Sequence, residues 1–107
     1  MSEVERLNAE MRIWEPVFAK DAYAKRVSEI FPELDEKEHR HLTQLLVFQT
    51  FKKTQLEADE FHRRVSNIVG GDDKAPELDS MVGNVIAAFV GLGSDIIECD
   101  PTIVKWS

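Results

Sequence analysis

The stretch Leu34–Phe51, "LDEKEHRHLTQLLVFQTF", decides how the chain folds. Its first eight residues crowd three carboxylates, Glu36, Glu38 and Asp35, against His39 and His41, so it reads at first as a metal or acid/base site. Position gives it another meaning. Asp35 and Glu38 stand three apart, as a helix cap and its partner do, and Leu34 is the apolar lead-in before them. Carboxylates are favoured in a first turn, because free N–H groups and the helix dipole attract negative charge there. A helix running from here to about Lys53 carries two apolar faces. With Leu42 set at about 0°, Leu45 and Leu46 fall at about 300° and 40°, and Val47, Phe48 and Phe51 at about 140°, 240° and 180°. Either this helix is central, or its Val47/Phe48/Phe51 side meets another chain.

The rest of the chain reads as helix as well. Ser2 and Glu5 form a capping box, followed by a narrow seam of Val4, Leu7, Met11, Trp14 and Phe18. Pro16 either kinks one long helix or opens a second, whose apolar face is Tyr23, Val27, Ile30 and Phe31 up to Pro32. Thr54 and Glu57 make a third box ahead of Ala58, Phe61, Val65, Ile68 and Val69, and Gly70-Gly71 closes that helix. A last helix follows the loop "GGDDKAPELD" and runs to Gly91 or Gly93, and the tail from 94 to 107 has β-branched residues suited to a short strand or an arm. The expectation is an all-α, compact bundle of about five helices with an irregular C-terminal tail, a single domain over residues 1–107.

The last helix is apolar nearly all round from Met81 to Leu92, and Gly83, Ala87 and Gly91 align at spacing four. Such a strip admits close approach of another helix, either within the chain or across a dimer seam. Two over-apolar helices in a chain of 107 residues favour a homodimer, since pairing identical faces covers them. The candidate protein-binding residues are therefore Val47, Phe48, Phe51, Gly83, Ala87 and Gly91.

Composition excludes several functions. The net charge is -7 and the pI near 4.9. Residues 1–38 carry 10 acids and 6 bases, 39–71 carry 3 and 5, and 72–107 carry 7 and 2. An acidic chain of this kind repels nucleic acid backbones and anionic membranes, so neither is expected as a partner. Lys52, Lys53, Arg63 and Arg64 are too few for a phosphate footprint. No apolar run approaches the roughly 18 residues of a membrane span. The start "MSEVERLNAEM" has no export pattern and Cys99 is the single cysteine, so the expected location is cytoplasmic. Glu98 and Asp100 flank Cys99 and disfavour a reactive thiolate. The acids of "GGDDKAPELD" lack the alternation of a calcium loop. No phosphate loop, nucleophile elbow or dinucleotide fingerprint is present, and no cofactor is expected.

The one catalytic alternative is a metal-dependent helical-bundle enzyme. Glu36-x-x-His39 and Asp59-x-x-His62 each have the spacing that sets two ligands on one helix face. Both pairs lie early in their helices, where carboxylates serve the helix start. The reading that follows is a non-enzymatic protein-binding regulator or inhibitor that masks an interface of a partner, as an anti-activator of a transcription factor or an immunity-type protein does.

Overall fold

The computed structural model describes residues 3–71, 73–92 and 94–106. Four α-helices account for most of them: α1 (Glu3–Ile30), α2 (Glu36–Thr50), α3 (Ala58–Val69) and α4 (Ala75–Leu92). Two short 3-10 turns, Ser94–Glu98 and Pro101–Ile103, complete the chain, and no strand occurs among the described residues. The fold is all-α, as expected, with four helices in place of about five. The first two helices read from the sequence are one, because α1 continues through Pro16. Proline lacks the N–H that a helix interior uses, but the Pro16 ring is fully buried and its packing offsets that loss. The Ser2 box opens on a residue outside the described ones.

Local chemistry sets most of the boundaries. Asp35 caps α2 and accepts from the Glu38 N–H at 2.7 Å. That bond holds the Asp35 carboxyl below its ordinary pKa. At the other end α2 stops at Thr50, three residues before the expected Lys53. Phe51 turns extended, and the Thr54 hydroxyl donates to the Phe48 carbonyl at 2.7 Å and to that of Phe51 at 3.3 Å. Thr54 thus closes α2 and does not cap α3. Glu57 stands before α3 with no side-chain cap. The Gln49 amide pins the intervening loop at Leu56, donating to its carbonyl (3.0 Å) and accepting from its N–H (2.9 Å). Gly70 ends α3 at a φ of 79°, a left-handed conformation that favours glycine.

α2 is the centre of the molecule. Leu42, Leu46, Val47 and Phe51 have no exposed surface. α1 covers one side through Tyr23, whose hydroxyl meets Thr50 Oγ1 at 2.6 Å. Burial pushes the Tyr23 phenol well above its usual pKa, so it stays a neutral hydrogen-bonding group. α4 covers a second side, with the Phe89 ring 5.8 Å from that of Phe51. α3 contributes buried Phe61 and Val65. The tail forms neither strand nor loose arm: Ile96 and Ile97 are buried in the same core, and the Ile97 carbonyl accepts from the Lys52 N–H at 2.9 Å. Trp106 packs edge-on against Phe48 at 6.1 Å.

Candidate functional site

Phe48 is the member of the second α2 face that reaches the surface. With Leu45 and Ile68 it floors a groove of about 350 Å³ between α2 and α3, bordered by His41, Gln44, Arg64 and Asn67. The sequence places His41, Gln44, Leu45 and Phe48 at spacings of 3, 1 and 3, a stripe along one side of α2. Phe48 is half-buried, held from behind by Trp106. On the far wall Arg64 Nε donates to Glu60 Oε1 at 2.9 Å. Glu60 also binds Arg63, and the two guanidinium groups pull its pKa down to about 2. The groove is thus apolar at its base and polar at its rim, with the Arg64 charge partly offset by Glu60, which Arg63 shares.

The other candidate residues separate into two groups. Val47 and Phe51 lie wholly inside the chain, so of the two readings of this face the structure takes the central-helix one for them. A partner touches neither without unfolding α2 from its neighbours. Gly83, Ala87 and Gly91 are all exposed. A methyl group built on Gly83 or Gly91 meets nothing within 4 Å, so the strip is no crossing point for another helix of this chain. The reason is the packing of α4, which buries its large residues Leu78, Met81, Val82 and Phe89 and turns its small ones outward. From Ser80 to Gly91 that outward face carries no charge, and Val90 is 54% exposed on it.

The carboxylate and histidine pairs are not brought together. His39 Nε2 meets the Ser28 hydroxyl of α1 at 2.8 Å, while His62 meets the Asp79 carboxylate of α4. Glu36 and Asp59 are exposed at their separate helix starts. Among the described residues no three His, Cys, Asp or Glu side chains converge as metal ligands would. No helix among them is long and apolar enough to cross a membrane.

Comparison with protein-family models, with curated proteins and with solved structures found no match to this chain.

The groove itself was not legible in the sequence. Its far wall comes from α3, and the stripe on α2 acquires meaning only once Ile68 and Arg64 stand opposite.

Proposed function

We propose that the protein is a non-enzymatic regulator or inhibitor that binds another protein and masks an interface on it, working in the cytoplasm. An anti-activator of a transcription factor and an immunity-type protein are the kinds of role that fit. The observation that carries this reading is the groove over Phe48, whose apolar floor and hydrogen-bonding rim suit an apolar anchor from a partner helix or loop. The net charge of -7 supports a protein rather than a nucleic acid as that partner.

The test is affinity capture from the native cell with the wild-type chain and with Phe48→Asp, followed by mass spectrometry. The expected result is a protein retained by the wild type and reduced about tenfold or more by the substitution, as removal of an anchor residue does. Identical capture by both chains, with an unchanged melting curve, would remove Phe48 from the interface.

The uncharged α4 face supports self-association as a separate property. Two chains of charge -7 meet with least repulsion where neither presents a carboxylate. Light scattering is expected to give twice the 12.2 kDa chain mass, reverting to one chain mass in Ala87→Asp. A strict monomer over the whole concentration range removes the dimer.

A further inference from the structure

Between α1, α2 and the tail lies a cavity of about 200 Å³ that shares no lining residue with the Phe48 groove. Positions 36, 39, 40 and 43 fall at spacings of 3, 1 and 3, so one stripe of α2 supplies Glu36, His39, Arg40 and Thr43 to it. Lys20 of α1 and Trp106 of the tail complete the wall. Two of its polar groups are already engaged. His39 Nε2 meets the Ser28 hydroxyl at 2.8 Å, and the hydroxyl of buried Thr43 donates to the His39 carbonyl at 2.8 Å. The cations are not neutralised in this way. Lys20 is half-buried, and its ammonium donates to the Lys105 carbonyl at 2.9 Å while standing 5.3 Å from the centre of the Trp106 ring. No carboxylate among the described residues pairs with it. Arg40 takes no hydrogen bond or ion pair among those residues, although Glu36 stands four positions before it, a spacing at which such pairs form. The Trp106 indole N–H has neither a partner nor exposed surface.

Donors therefore exceed acceptors on this wall. An ammonium and a guanidinium together carry many N–H groups, and the Lys105 carbonyl takes one of them. Glu36 is the single charged acceptor in the lining. With histidine neutral, Lys20 and Arg40 against Glu36 leave a net positive charge of one. A carboxylate matches that charge, whereas a phosphomonoester, at about −1.5 to −2, sets its surplus against Glu36. A planar carboxylate also accepts two parallel bonds from a guanidinium. The volume lies below the roughly 300–1,000 Å³ of pockets for drug-sized ligands, so the occupant has few heavy atoms. We propose that this cavity binds a small carboxylic acid in its ionised form, with the carboxylate on Arg40 and Lys20 and a short carbon chain against the Trp106 indole. The site is separate from the Phe48 groove, so its test stands whether or not that groove binds a partner.

Butyrate serves as the probe, read by the indole N–H resonance of Trp106 in the full chain, which Trp106→Phe identifies. At about pH 8, where an ordinary histidine is neutral, that resonance is expected to shift saturably as butyrate is added. The uncharged isostere butyramide binds at least about tenfold more weakly, because it offers no charge to the two cations. Arg40→Gln weakens butyrate by about tenfold or more. Its melting curve stays unchanged, since the side chain is exposed and has no partner among the described residues. Glu36→Gln, which removes the lining carboxylate, tightens butyrate several-fold. No saturable shift, equal binding of butyramide, or equal binding by Arg40→Gln would each overturn the inference. So would an equal shift with sodium chloride at matched ionic strength, which reduces the effect to screening. Inorganic phosphate binding more tightly than butyrate would overturn the choice of a carboxylate.

Discussion

Phe51→Asp leaves no folded protein, whereas Phe48→Asp, three residues earlier in the last turn of α2, keeps a cooperative melt. Phe51 has no exposed surface, and its ring stands 5.8 Å from Phe89 at the junction of α2 and α4. Truncating a buried phenylalanine costs about 3–5 kcal/mol on its own. A carboxylate in its place adds several kcal/mol of desolvation, because the position is wholly buried among apolar side chains. Together these match the whole stability of an ordinary domain, about 5–15 kcal/mol. Phe48 is only partly buried against the core, its edge contact with Trp106 is worth about 0.5–1.5 kcal/mol, and an aspartate there sits in a groove open to water beside Gln44 and Asn67. Far-UV circular dichroism against temperature separates the two outcomes. If Phe48→Asp also unfolds the chain, the groove floor is core and carries no binding role. If Phe51→Asp folds, α2 is not the central helix described above.

The difference between these two phenylalanines also marks how far the sequence reads. Features made by groups at fixed offsets along the chain were legible: the Asp35 cap with its bond to Glu38, the Gly70 terminus and the stop at Pro32. Thr54 and Glu57 have the same offset as a capping box, yet the Thr54 hydroxyl goes to the end of α2. That competition is decided by the Gln49 clamp on Leu56, which no local pattern reveals. Pro16 obeys the local rule in costing a hydrogen bond, but a buried ring in the core outweighs it. For α4 the composition was clear and the orientation was not. Gly83, Ala87 and Gly91 were equally suited to an inner crossing, and the larger volumes of Leu78, Met81 and Phe89 took the core side instead. The two faces of α2 were visible as periodicity. Which residue of the second face stays near water depended on where α3 and the tail come to rest.

Removing residues 94–107 is expected to abolish the cooperative melt. The β-branched residues of the tail pointed to a strand or an arm, and an arm would be dispensable. In the structure the tail packs against α4 and α1 and meets the end of α2 at Phe48 and Lys52. Ile96, Ile97 and Val104 are 4%, 8% and 7% exposed, and Asp100 caps the second turn by accepting from the Thr102 N–H at 3.0 Å. Each such apolar side chain contributes about 1.5–3 kcal/mol by leaving water, so these three contribute at most about 5–9 kcal/mol. That is of the order of the stability of the whole domain. The truncated chain also leaves the Lys52 N–H without the Ile97 carbonyl and removes Trp106 from Phe48. The expected product keeps helical far-UV signal, loses its near-UV signal and binds hydrophobic dyes, as a state with helices but without fixed packing does. Ile97→Ala in the full-length chain is the graded control, costing about 2–5 kcal/mol in a urea melt. A truncated chain that melts within a few degrees of the full one would instead make the tail a dispensable arm.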